Sequence, residues 1–141
     1  MNFQELLNKA KKLQTNAYVP YSNFRVAAIV ILKDKKEVTG VNVENASFPA
    51  TICAERTALT QVITLGYQKD DIEALFLITD SNSLGSPCGI CRQFMAEVMP
   101  MTAKVYISNI NSKDEKDIKI VKVQDLLPFA FISESLKGNS K

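Results

Sequence analysis

The stretch FRVAAIVIL, Phe24 to Leu32, is apolar without interruption from Val26 onward and rich in β-branched side chains. A strand with one wet face alternates polar and apolar residues, whereas an unbroken run of this length fits a strand covered on both faces. Cover on both faces calls for helices, and the neighbouring sequence supplies them. Upstream, Phe3, Leu6, Leu7, Ala10, Leu13 and Ala17 recur at helical spacing, with Lys9, Lys11 and Lys12 off that stripe. Pro20 and the Tyr21-Ser22-Asn23 stretch break that helix before the strand begins.

Downstream, the charged turn KDKKE leads into EVTGVNVEN, whose Val38, Val41 and Val43 suggest a second strand. A helix follows Pro49, with Ala54, Ala58 and Val62 on one stripe, Leu59 and Ile63 beside it, and Gly66 at its end. Its small residues suit close packing on a sheet. IEALFLIT, Ile72 to Thr79, is another buried strand. DSNSLGSP then turns into a short helix with Cys91, Phe94, Met95 and Val98 on one face, stopped by Pro100. AKVYIS and IKIVKV are a fourth and a fifth strand around the charged segment NINSKDEKD. DLLPFAFISESL is expected to be partly helical. The alternation of strands and helices predicts a layered α/β domain over residues 1–136, with residues 137–141 a frayed tail.

Composition narrows the chemistry. At 141 residues the chain is long enough for a full core without staples. A net charge of +2 advertises neither nucleic acid nor membrane as a partner. The N-terminus MNFQELLNKAKKL is amphipathic and unlike a signal peptide, so a cytoplasmic location is expected. There is no histidine, and any proton transfer or metal ligation usually given to imidazole falls to other side chains.

Three cysteines remain. Cys88 and Cys91, in SPCGICRQF, sit three apart at a helix start, so both thiols can point the same way. Cys53 heads the preceding helix, in TICAERTAL. Helix N-termini favour thiolate over thiol, and two of them facing one another would offer three thiolates to a cation. Three protein ligands are the mark of a catalytic zinc, which keeps a fourth position open. Glu55 then stands beside the ion, free for proton transfer. Three thiolates leave the centre near −1, and Arg56 and Arg92, close after the cysteines, are expected to hydrogen-bond sulfur and offset that charge. Taken singly, a cysteine such as Cys53 is more often a core hydrophobe than a ligand, and C-G-I-C also fits a thioredoxin-type redox pair. The redox reading leaves Cys53 and Glu55 without a role.

C-A-E at Cys53 to Glu55, followed by P-C-x-x-C at Pro87 to Cys91, resembles the signature of the zinc-dependent cytidine deaminases, with cysteine where related enzymes carry histidine. FRVAA, NVENASFPATICAERTAL and SPCGICRQ extend the resemblance to the short, homotetrameric nucleoside deaminases over nearly the whole chain. It implies a three-layer α/β/α fold with a five-stranded mixed sheet covered by helices. It also implies one zinc per subunit on Cys53, Cys88 and Cys91, with Glu55 as the proton shuttle. The substrate positions it implies are Phe24 stacking on the pyrimidine, Asn42 and Glu44 on the ribose hydroxyls, and the backbone of Ala54 on the base's polar edge. Phe131 falls where the family reaches into a neighbouring subunit. The implied reaction is hydrolytic deamination of cytidine and deoxycytidine, with release of ammonia, in pyrimidine salvage. Ala27, Phe48 and Ile90 depart from the usual glycine, tyrosine and alanine, and none of them removes a group needed for the chemistry. A deaminase of free base or of a cytosine-containing antibiotic, and a zinc-holding module without hydrolase activity, stay open beside this reading.

Overall fold

The computed structural model describes residues 1–136; the tail expected at residues 137–141 lies outside them. Its elements run in chain order as α1 (Phe3–Gln14), β1 (Val26–Leu32), β2 (Glu37–Val41), α2 (Ala54–Thr64), β3 (Ile72–Thr79), α3 (Gly89–Val98), β4 (Lys104–Asn109), β5 (Lys119–Lys122) and α4 (Val123–Leu126). The five strands form one mixed sheet in the order β2-β1-β3-β4-β5. β1 pairs antiparallel with both β2 and β3, β3 runs parallel to β4, and β5 closes the far edge antiparallel to β4. The parallel β3–β4 pair requires a crossover, which α3 provides.

The unbroken apolar runs become the centre of the sheet. Every residue of β1 is buried, as is all of β3 except Glu73. Their alternate side chains serve two separate cores. Ala28, Val30, Leu32, Leu75, Leu77, Val105 and Ile107 meet Ala54, Ala58, Leu59 and Val62 of α2, Met95 of α3, and Val123 and Leu126 of α4. On the opposite face Ala27, Ile29, Ile31, Phe76 and Ile78 meet Leu6, Leu7 and Ala10 of α1. The layers are therefore α/β/α, with a single helix on one side. Period-two alternation within a strand sends successive residues to opposite cores, which is why neither run shows a polar stripe.

α1 begins under a side-chain cap, Asn2 Oδ1 accepting from the Glu5 N–H at 3.1 Å, and carries Lys11 and Lys12 in its last turn, where the helix dipole favours them. Gly40 of β2 lies directly under α2: a Cβ there would fall 2.5 Å from the Ala58 nitrogen and 2.7 Å from the Ala54 oxygen. Only glycine permits that approach. Beyond β2 the chain continues into a small ladder outside the main sheet. Val43 exchanges both backbone hydrogen bonds with Ile52 at 2.9 Å, and Tyr18 bridges the other side of Val43. This ladder delivers the chain to Cys53 and the start of α2.

The edges depart from the sequence reading in three places. The second strand, read through Val43, ends at Val41 and leaves Val43 in the side ladder. β1 begins at Val26, leaving Phe24 in the preceding loop. The apolar C-terminal segment forms one four-residue helix and a short 3-10 turn at Ser133–Ser135, with Phe129 and Phe131 exposed in between.

Candidate metal centre

Cys53 and Cys88 each occupy the N-cap position, of α2 and α3 respectively, and Cys91 lies in the first turn of α3. Both helices pack on the same face of the sheet, and the three sulfurs converge so that all lie within 4.8 Å of one another. The Cys53 and Cys88 sulfurs are 3.8 Å apart. A tetrahedral ion with metal–sulfur bonds of about 2.3 Å requires sulfurs about 3.8 Å apart, so the pair already has the right span. A disulfide, at roughly 2.05 Å, is far shorter. The donor set, three sulfurs and no imidazole, is one that a soft divalent ion such as zinc takes.

Electrostatics point the same way. A hydrogen bond with Cys91 pulls the Cys53 thiol down to about 5 against the opposing effect of burial, with the Arg56 guanidinium adding to the pull. That same bond, together with burial, pushes the Cys91 thiol upward. Sulfurs this close separate into a thiolate and a thiol, and full ionisation of the trio needs a countercharge at their centre. Arg56 Nη2 sits 3.7 Å from Cys53 Sγ, while its Nε is buried and has no hydrogen-bond partner among the described residues. A cation is thus held against the cluster with a donor unspent.

Arg92, expected to do the same, does not. Its Nε donates to the Pro87 carbonyl at 2.7 Å, Nη1 to the Leu126 carbonyl at 2.9 Å and Nη2 to the Ser86 hydroxyl at 2.6 Å. Oxygen acceptors outcompete sulfur for a guanidinium. Arg92 instead fastens the turn entering α3 to the end of α4. Glu55 is 4% exposed, and burial is the main reason its carboxyl is raised to about 7. A carboxyl in that range both takes and gives a proton near neutrality.

The remaining positions form a second group. Asn42 is buried and uses both ends of its amide on the start of β1: Nδ2 donates to the Phe24 carbonyl at 2.8 Å and Oδ1 accepts from the Val26 N–H at 2.9 Å. Glu44 Oε1 accepts from the N–H groups of Tyr21 at 3.0 Å and Ser22 at 3.1 Å, and Oε2 accepts from the Ser22 hydroxyl. The Ser22 bond is the foremost reason the Glu44 carboxyl lies below its ordinary range. Phe24, with its ring partly exposed, is thereby tied to both residues. The Val43–Ile52 ladder sets this group beside Cys53. Ala54 is buried in the first turn of α2, where an N–H has no intrahelical acceptor. Phe131 is half exposed, and its carbonyl accepts from Gln93 Nε2 at 2.8 Å, which holds the C-terminal segment against α3. Ser22 was not singled out in the sequence, where it is one residue of a helix-breaking turn. No spacing rule links it to a glutamate 22 residues away.

The chain is similar to known proteins over most of its length. Residues 1–108 match the family model described as the cytidine and deoxycytidylate deaminase zinc-binding region. A protein of Halalkalibacterium halodurans named cytidine deaminase is 41% identical over 136 residues, covering 96% of this chain and 98% of its own. A cytidine deaminase of Sporosarcina psychrophila is 38% identical over 136 residues, 96% of each chain. Among solved structures, the cytidine deaminase of Burkholderia pseudomallei superposes with a TM-score of 0.86 at 38% identity, covering 93% of this chain and 100% of that one.

Proposed function

The chain belongs to the zinc-binding cytidine and deoxycytidylate deaminase family, and from that premise we propose that it hydrolyses cytidine and deoxycytidine to uridine and deoxyuridine with release of ammonia. The observation that carries this reading is the buried Glu55 next to the convergent Cys53, Cys88 and Cys91. These three thiolates would hold the zinc. When bound, the ion supplies Lewis-acid chemistry, making water a competent nucleophile at neutral pH.

Glu55 does the proton work. It accepts the proton of the attacking water and delivers it to the ring nitrogen next to the amino-bearing carbon, which makes that carbon electrophilic. Once the water oxygen has added to that carbon, the carboxylate takes the second proton from the new hydroxyl and passes it to the amine, which leaves as ammonia as the carbonyl forms, so one carboxyl serves as base and acid in turn. Arg56 offsets the cluster's excess negative charge. The free N–H at the start of α2, at Ala54, is the donor offered to the base's polar edge.

Asn42 and Glu44 suit a sugar hydroxyl. An amide nitrogen carries two N–H groups, and Asn42 has spent one; a carboxylate has about four acceptor sites, and Glu44 has used three. One Asn42 N–H and one Glu44 acceptor site are thus left, a donor and an acceptor of the kind a hydroxyl satisfies. Phe24 supplies the aromatic face for the pyrimidine.

The working form we propose is a homotetramer in which Phe131 reaches a neighbour's pocket. Its support is the exposure of Phe131, Phe129, Phe48 and Ile90, large apolar groups left largely open to solvent among the described residues. A role in pyrimidine salvage in the cytoplasm completes the proposal; among the described residues no helix is long and apolar enough to cross a membrane. The test pairs metal analysis after dialysis with an ammonia-release assay on cytidine, deoxycytidine and cytosine. One zinc per chain with turnover of both nucleosides is expected. A metal-free protein that is folded and active, or a zinc protein inert toward all three, overturns the reading.

A further inference from the structure

The turn between α1 and β1 is built around one hydroxyl. Ser22 Oγ donates to the Glu44 carboxylate and accepts from the Phe24 N–H at 3.0 Å, while the Ser22 N–H donates to the same carboxylate at 3.1 Å. Asn23, between them, has φ of 57°, in the left-handed region that asparagine tolerates better than most residues, and its N–H is held by the Val19 carbonyl at 3.0 Å. From the other side Asn42 takes the Phe24 carbonyl and the Val26 N–H. The backbone of Phe24 is therefore gripped at its nitrogen by Ser22 and at its oxygen by Asn42. Among the described residues, Ser22 alone hydrogen-bonds both Glu44 and Phe24 through its side chain.

We propose that Ser22 is a positioning residue that locks the Glu44 carboxylate and the Phe24 ring into one geometry, so that a sugar hydroxyl and the pyrimidine are recognised together. The inference rests on the deaminase reading above. The Tyr21 and Ser22 N–H groups both converge on Oε1, so the Ser22 hydroxyl is what fixes Oε2 and the plane of the carboxylate. Without it, Oε2 turns to water, and the acceptor left for the sugar loses its direction. Phe24 loses its nitrogen anchor at the same time. Both contacts are made equally in the bound substrate and in the transition state, so their loss raises KM and spares kcat.

The experiment compares Ser22→Ala and Ser22→Thr on cytidine and on 2′,3′-dideoxycytidine, with zinc content measured for each. For Ser22→Ala, KM for cytidine is expected to rise about tenfold, the scale of one hydrogen bond to a charged group. KM for the dideoxy analogue should rise by about threefold or less, since only the ring contact is affected there, and kcat and zinc content should hold within about twofold. Ser22→Thr keeps the hydroxyl and is expected to restore cytidine KM. Should Ser22→Ala not fold, Ser22→Cys preserves the volume with a weaker donor and is expected to show the same split. Unchanged kinetics, an equal loss on both nucleosides, or a fall in kcat or zinc with KM intact would each overturn the proposal. A wild-type protein that does not deaminate cytidine would instead sink the functional reading, and this inference with it.

Discussion

Glu55 and Arg56 are neighbours on α2 with different surroundings: one is a carboxyl raised by burial, the other a guanidinium leaning on sulfur. Glu55→Gln keeps the volume and removes the exchangeable carboxyl proton. It is expected to retain one zinc per chain and lose turnover by roughly 100-fold or more, measured by metal analysis beside ammonia release. Near-normal turnover would remove Glu55 from the mechanism. Arg56→Ala takes a positive charge from a cluster of three thiolates. Zinc affinity and turnover should fall by about 10-fold or more, read by competition with a chromogenic chelator, and unchanged values would refute the charge-offset argument. The convergence of the three cysteines was legible in the sequence because their spacing at two helix starts is itself the chemical constraint. Arg92 was misjudged because its partners, Pro87, Ser86 and Leu126, include a carbonyl 34 residues away that no local pattern announces.

At the scale of elements, the metal centre depends on where α2 sits, and α2 sits where Gly40 allows. Adding a methyl group at Gly40 would place it against backbone atoms of Ala54 and Ala58, which cannot swing aside as a side chain could. Gly40→Ala is expected to cost about 1–3 kcal/mol in denaturant unfolding, the range for overpacking, and to weaken zinc binding because Cys53 and Glu55 ride on the displaced helix. A variant as stable as the parent would show that α2 adjusts freely. β1 and β3 were readable because a continuous apolar run bounded by turn residues has few other interpretations. The register and the partner order were not, since they depend on contacts far apart in the chain. β5 and the C-terminal segment were less legible for another reason: β5 is an edge strand whose residues are mostly exposed, so burial leaves little pattern in it.

The molecule's two hydrophobic clusters are assembled from side chains other than its cysteines. The core facing α2 and α3 and the one facing α1 consist of aliphatic, aromatic and methionine side chains, although Cys91 is itself fully buried and Ala54 of the first core adjoins Cys53. Removal of zinc by a chelator is therefore expected to abolish turnover while leaving far-UV circular dichroism almost unchanged, with a lowered Tm from the lost binding energy. This contrasts with small zinc domains that unfold without their ion; loss of helix and strand signal on chelation would contradict that expectation. Assembly is tested by Phe131→Ala, expected to lower turnover while zinc content holds, if a neighbour's ring completes the pocket. The Val43–Ile52 pairing has a practical outcome of its own. Because the chain is stapled at both feet there, the excursion from Glu44 through Thr51 hangs outside the staple, with Phe48 at its exposed crest. Exchanging Phe48 would then change what the chain offers to a neighbouring copy, while the Val43–Ile52 pairing keeps the cysteine on one foot and the asparagine on the other in place. That gives an engineer a handle for retuning what the surface presents to its surroundings without rebuilding the machinery beneath.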